Sequence, residues 1–392
     1  MLRLESGIVQ RVIKQKPGMQ LVEVLLTSSG HLGQAISYSA EKYAAGDELL
    51  LNTTAVRLSL GTGGYHIVVG KILADGAADL YPSSWGHIMK MRYSPWQMAV
   101  DAVEEQNSPY HSLFTDEQAS LEGTPVLIGE LHSLLPTVAG AIREAAPSWR
   151  IVYVMPDGAS LPIGLSQQVA HLKSQGLVSS TVTTGHAWGG DWESVNIYNG
   201  LLAARLTAKA DIIVCLLGPG VAGTGTPLGF SGMQLAEVIH AVSLLGGIPF
   251  FIPRVSFSDT RERHRGVSHH TLTLLRKFTL RPVLMPVPIW GDERDDRIAS
   301  QLTEIHKQAG HILLRRAAPS QAQLEKLEGL YDLQLSTMGR SWREDPAPFQ
   351  AAILAAELAV KSAGAAVSGG RSGFAEPDTL AALALFLTRN GE

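Results

Sequence analysis

Along the first seventy residues, apolar positions alternate with polar ones in short runs at 7–13, 21–27, 33–38, 48–54 and 65–70. Turn clusters such as Lys16-Pro17-Gly18-Met19, Ser28-Ser29-Gly30 and Ala45-Gly46-Asp47 punctuate them. Period-two runs at regular spacing predict strands, and closing them into a small β-barrel over residues 1–73 removes the edges an open sheet would expose. Residues 74–123 carry mixed turn signals, two tryptophans and one helical stretch at 95–105, and read as a connector. Gly61-Thr62-Gly63-Gly64-Tyr65-His66 reads as a hairpin or bulge between Leu58 and Val68.

From Thr124 the rhythm changes. Apolar runs at 125–129, 151–155, 180–184, 211–217, 249–253, 283–287 and 311–314 alternate with helical spacing at 134–144, 166–174, 193–208, 233–245, 271–278 and 295–307. Two further helices, at 346–362 and 379–388, finish the chain, and a Gly/Ser run at 368–373 reads as a mobile loop. Strands without polar alternation, separated by helices, predict βαβ units. The expected fold class is therefore α/β: a mostly parallel, Rossmann-like sheet flanked by helices over 124–392, preceded by the barrel.

Composition narrows the function. With 392 residues, 45% of them hydrophobic, the chain can bury two cores. A net charge of -4 gives no electrostatic footprint for a polyanion, so nucleic acid is not an expected partner. No apolar run reaches the roughly 20 residues of a membrane helix, and the start MLRLESGIVQRVIK lacks the features of a secretory signal. The single cysteine, Cys215, lies in an apolar run and excludes an intrachain disulfide. These features predict a soluble cytoplasmic protein, with a homo-oligomer compatible with its apolar helices.

Ligands of open parallel sheets bind beyond the carboxyl ends of the strands, so the loops that follow the strands are where chemistry is expected. The first supplies Glu130, His132 and Ser133, the second Asp157 and the third His186, Asp191 and Glu193. The fourth is Gly218-Pro219-Gly220-Val221-Ala222-Gly223-Thr224-Gly225-Thr226, and the fifth runs from Arg254 to Asp259. The Gly218 run matches G-x-G-x-x-G after a strand, but its helix starts late, near Ser231, and no acidic residue ends the next strand, so nicotinamide dinucleotide is disfavoured. No lysine follows the glycines, which excludes a Walker loop. Gly218, Gly220, Gly223, Thr224, Gly225 and Thr226 instead read as an anion-binding loop of backbone N–H groups.

Beyond Asp259 stands Arg261-Glu262-Arg263-His264-Arg265-Gly266-Val267-Ser268-His269-His270. Arg254, Arg261, Arg263 and Arg265 are the expected anion binders, and Ser268 the N-cap of a helix that opens at His269 or His270. The helix dipole there predicts imidazoles that titrate low. His186, Asp191, His264, His269 and His270 are the catalytic candidates, with Asp157 and Asp259 as partners that orient a histidine or an arginine. His186, Asp191 and His270 are also the candidates for a divalent metal, although their spacing matches no metal motif.

Five stretches resemble a bacterial family catalogued as a domain of unknown function: N-T-T-A-V-R-L-S-L-G-T-G-G-Y-H from Asn52, D-G-A-S-L-P from Asp157, T-T-G-H-A-W-G-G-D from Thr183, G-P-G-V-A-G-T-G-T from Gly218 and R-E-R-H-R-G-V-S-H-H from Arg261. The resemblance covers nearly the whole chain. It implies a bacterial origin and a shared architecture, and brings no activity or cofactor. The residues themselves predict a hydrolase or transferase acting on a small anionic or phosphate-bearing metabolite. The competing expectation is a non-catalytic nucleotide or metabolite sensor whose barrel meets a partner.

Overall fold

The computed structural model describes residues 3–39, 41–58, 63–72, 83–94, 96–303, 305, 309–365 and 377–389. The chain divides into two compact units, Met1–Asp101 and Ala102–Glu392.

The first unit is a closed barrel of five strands, β1 (Leu4–Lys16), β2 (Met19–Leu26), β3 (Leu32–Ser37), β4 (Glu48–Asn52) and β5 (Tyr65–Lys71), in the order β1-β2-β3-β5-β4. Only the β3–β5 contact is parallel. Alternate residues Val9, Val22, Val24, Ala35, Leu49 and Leu51 fill the interior with Tyr43, and the Gln20 amide bonds both backbone groups of Tyr43. The expected strands are all present. The expected helix at 95–105 is not: Met98–Val100 pairs with Ile88–Lys90 as a two-stranded ribbon, and turns follow it. A helical turn, Thr54–Arg57, ends at Leu58, so no hairpin strand starts there. Gly61 and Thr62, like the 368–373 run, lie outside the described residues. The stretch read as a connector is shared between the two units, because Val103 and Leu121 are core residues of the second.

The second unit is built on an eight-stranded parallel sheet: β6 (Pro125–Gly129), β7 (Ile151–Met155), β8 (Ser180–Thr184), β9 (Trp192–Ser194), β10 (Ile212–Leu216), β11 (Ile248–Ile252), β12 (Leu284–Ile289) and β13 (Ile312–Ala317). Their spatial order is β9-β8-β7-β10-β6-β11-β12-β13. Both faces are covered, which is why the central strands read as unbroken apolar runs. Leu127, Tyr153, Val214 and Phe250 pack on one side under helices α1 (Leu135–Ala145), α2 (Gln167–Ser174), α7 (Gln321–Leu330), α8 (Ala347–Ala365) and α9 (Pro377–Arg389). Val126, Val152, Ile213, Cys215 and Phe251 pack on the other under α3 (Ile197–Leu202), α4 (Leu235–Leu244), α5 (His269–Thr273) and α6 (Glu293–Leu302).

Two elements differ from expectation. The helix expected from residue 193 starts at Ile197, capped by Asn196, because Trp192–Ser194 is an edge strand beside β8. Helix α7 was not expected, although Ser320 and Gln323 form a capping box at its start.

Strands β6 and β10 are neighbours, yet the chain leaves β6 for α1 on one face and β10 for α4 on the other. Such a divergence opens a crevice at the carboxyl ends of the two strands.

Candidate functional site

Glu130 follows β6 directly and lies at this crevice, its side chain fully enclosed. Thr271 of α5 donates to Oε1, while Oε2 has no hydrogen-bond partner among the described residues. Arg254, at the end of β11, approaches Oε2 no closer than 3.9 Å. Burial therefore outweighs the arginine and raises the Glu130 carboxyl above its ordinary range.

Arg254 is itself buried and has the Met338 sulfur 3.9 Å from its guanidinium. Around it runs a charged network. Arg261 makes two side-chain hydrogen bonds to Asp259, at 3.0 and 2.8 Å, and holds that carboxyl well below the usual range. Arg340 lies 3.5 Å from Asp259 and 3.4 Å from Asp345, and Ser256 donates to Asp345 at 2.5 Å. Met338 and Arg340 come from a small hairpin, Ser336–Thr337 with Arg340–Ser341, that carries Met338 and Gly339 in the left-handed region at its turn.

Next to this network three imidazoles meet. Ring centroids are 4.1 Å apart for His269 and His270, 5.1 Å for His264 and His269, and 5.3 Å for His264 and His270. Phe230 stacks on His270 at 3.9 Å. Ser268 caps α5 as expected, and its hydroxyl also meets Nδ1 of His264 at 2.9 Å. Nε2 of His269 and both ring nitrogens of His270 are buried without a hydrogen-bond partner among the described residues. The imidazoles do titrate low: burial first, then neighbouring histidines and arginines, bring His270 down to about 3 and His264 to about 4, with His269 lowered for related reasons. The largest cause in each case is desolvation, with Arg254 acting on all three.

The glycine loop lies over this cluster. Gly218 is buried at the end of β10, and residues 220–228 are exposed. A Cβ on Gly223 would stand 3.6 Å from Cε1 of His270, and one on Gly225 would stand 4.0 Å from the Arg263 guanidinium. The loop is a hairpin: Gly223 bridges Phe230, Thr224 N donates to Gly229 O at 2.7 Å, and Gly229 N donates to the Thr226 hydroxyl at 3.0 Å. The N–H groups of Ala222 and Thr224 are thus engaged within the loop. No helix opens at its third glycine, which is the geometry a dinucleotide fingerprint requires.

His264, His269, His270, Arg254, Arg261, Asp259, Gly223, Gly225 and Arg263 therefore share one neighbourhood. Arg265 is exposed, and its carbonyl accepts from Arg297 and Gln301 of α6. His186 and Asp191 stand elsewhere. His186 follows β8, four strand positions from β11, on the order of 15–20 Å at about 4.8 Å each. Asp191 sits level with Thr181 at the opposite end of β8, because the chain doubles back before β9. It binds Thr181 and Lys173 there. The metal trio of His186, Asp191 and His270 is thus not brought together, and among the described residues no group of three or more His, Cys, Asp or Glu is arranged to hold a metal ion. Asp157 orients backbone rather than a side chain, accepting from the amides of His186 at 2.7 Å and Ser160 at 2.9 Å.

Sequence reading placed Glu130 among the loop residues where chemistry is expected but assigned it no role, and passed over Phe230, Thr271, Arg340 and Asp345. Glu130 carried a signal, being an acidic residue placed immediately after an apolar strand.

On the other side of the crevice a relay crosses the core. Tyr153 donates to the Leu216 carbonyl at 3.1 Å, which leaves its oxygen to accept from Nδ1 of His132 at 3.1 Å, and Nε2 of His132 to accept from Ser166 at 2.6 Å. The Ser166 hydroxyl oxygen in turn caps α2.

No curated protein and no solved structure matches the chain. One family model, described as a protein of unknown function (DUF3866), matches residues 34–356, a span that contains every residue of the site, and the chain belongs to that family.

Proposed function

We propose that the protein is an enzyme of the hydrolase or transferase type that acts on a small anionic or phosphate-bearing metabolite at the carboxyl ends of β6, β10 and β11. The observation that carries this reading is the convergence of unpartnered buried polar atoms, on Glu130, His269 and His270, beside Arg254. Each such atom costs about 1–3 kcal/mol when left unpaired, and a bound substrate would satisfy them.

The chemistry fits acid–base work. Glu130, raised by burial, holds a proton further toward neutrality than an ordinary carboxyl and can donate it, and His270 stays a neutral imidazole that presents one donor and one acceptor to the substrate. Arg254 stabilises negative charge developing on the substrate, an interaction strengthened by its enclosure. No described helix is long and apolar enough to cross a membrane, and the reading takes the protein to act in the cytoplasm on a diffusible molecule.

Incubating the protein with a metabolite extract and following depletion by mass spectrometry tests this. Wild type should consume a phosphorylated or carboxylated compound, and Glu130→Gln or His270→Ala should slow its loss at least about a hundredfold, the lower range for a general acid or base. Undiminished turnover in both variants would sink the assignment.

A further inference from the structure

The unpaired atoms also specify what they should meet. A neutral imidazole presents one N–H donor and one nitrogen acceptor, and on His270 neither is engaged. Cε1 lies between those nitrogens and is the His270 atom nearest to where a Cβ on Gly223 would stand, at 3.6 Å, so the edge that carries both nitrogens faces a residue without a side chain. Glu130 Oε2 needs a donor when ionised. A carboxylate ligand has only acceptors, so it would leave the acceptor nitrogen of His270 unpaired whether or not Glu130 carries a proton. A hydroxyl donates and accepts through one atom.

Beside this neutral floor stands positive charge. Arg254 and Arg263 both act electrostatically on His269 and His270, and Arg263 has no ion-pair partner among the described residues, whereas Arg261 is held by Asp259. The site therefore joins a hydroxyl-reading surface to an anion-reading one.

We infer that the ligand is a phosphorylated polyol, whose hydroxyls bridge Glu130 and His270 and whose phosphate lies toward Arg254 and Arg263 under the glycine loop. This rests on the reading of the site given above and narrows its ligand class. A sugar phosphate and a nucleotide bound through its ribose share this chemistry.

Calorimetric titration of the full chain with ribose 5-phosphate, AMP, ribose, inorganic phosphate and succinate tests it. At least one of the first two should bind tenfold or more tighter than each of the last three. A preference for ribose 5-phosphate supports a sugar phosphate, a preference for AMP a nucleotide. His270→Gln, which keeps a neutral polar group, and Arg263→Ala should each weaken the favoured probe tenfold or more while leaving the melting temperature near wild type. Succinate or phosphate binding as tightly, and still weakened by His270→Gln, would overturn the polyol and leave the site standing. A phosphorylated probe bound equally well by wild type, His270→Gln and Glu130→Gln would overturn the site itself. Failure of all five probes would overturn the polyol phosphate.

Discussion

His270 and His264 show how a residue's cost becomes measurable. Their folded pKa values, about 3 and about 4, lie below the ordinary 6.5, and His132, buried on the other side of the crevice, is likewise lowered to about 4. On acidification the unfolded chain takes up protons near pH 6.5 that the folded chain refuses, so stability falls as pH drops below about 6.5. Glu130 works with the opposite sign: its raised pKa makes the folded state the better proton binder above pH 4.5, so stability falls there as pH rises. Between pH 7 and 5 the carboxyls that are lowered, such as Asp259, remain ionised and do not obscure the histidines. Urea unfolding across that window should give a positive slope of stability with pH, and His270→Gln should reduce it by about one proton's worth, or roughly 1.4 kcal/mol per pH unit where titration of the unfolded histidine is complete. An unchanged slope would mean that His270 is protonated in the folded protein. Glu130→Gln should steepen the slope, by removing the opposing group.

Single elements decide how much of the site was legible. The runs at 125–129, 151–155 and 180–184 are strands with the expected bounds, because a strand buried on both faces leaves a continuous apolar imprint. Strand β9 has three residues on a sheet edge and leaves no such imprint. Helix α7 is mostly polar, with its burial resting on Leu324 and Leu327. The Met338 hairpin was illegible for another reason: methionine rarely occupies the left-handed region, so Thr-Met-Gly-Arg does not read as a turn. The glycine loop was legible as an exposed loop but not as a hairpin, since that depends on the threonines folding back onto Gly229. Its two glycines should respond differently. A Cβ on Gly229 would fall 1.9 Å from the Thr224 hydroxyl and force the hairpin open, whereas one on Gly223 meets only ordinary contact with His270. Gly229→Ala should therefore raise proteolytic cleavage at 220–228, and Gly223→Ala should leave it near wild type with stability changed by less than about 0.5 kcal/mol. Equal cleavage of the two variants would contradict the hairpin. At α2, Ser166→Ala removes both the cap and the acceptor's partner on His132, and should cost more than the roughly 1 kcal/mol of a cap alone in chemical denaturation.

Across the whole molecule, the order of strands governs which predicted residues can cooperate. His186 and Asp191 belong to the same kind of loop as His270 by sequence, yet no periodicity reveals that β7, β10 and β6 lie between β8 and β11. Alternating runs give way to continuous ones at residue 124, whereas the units meet at residue 101, within the stretch read as a connector, and each unit closes on a core of its own: Val9, Val22, Val24 and Leu51 in the first, the two faces of the parallel sheet in the second. A unit with its own core is expected to fold alone. Residues 102–392, which hold Glu130, Arg254 and all three clustered histidines, should then unfold in one cooperative transition and bind the phosphorylated probe favoured by the full chain to within about threefold, under about 1 kcal/mol. Thermal unfolding and calorimetry on that fragment check both halves. If it folds but loses the probe, the barrel contributes to recognition, and a sensor whose barrel couples ligand to partner gains over a self-contained enzyme. If it folds and binds, catalysis and recognition reside in the parallel sheet, and the barrel's role lies outside the chemistry.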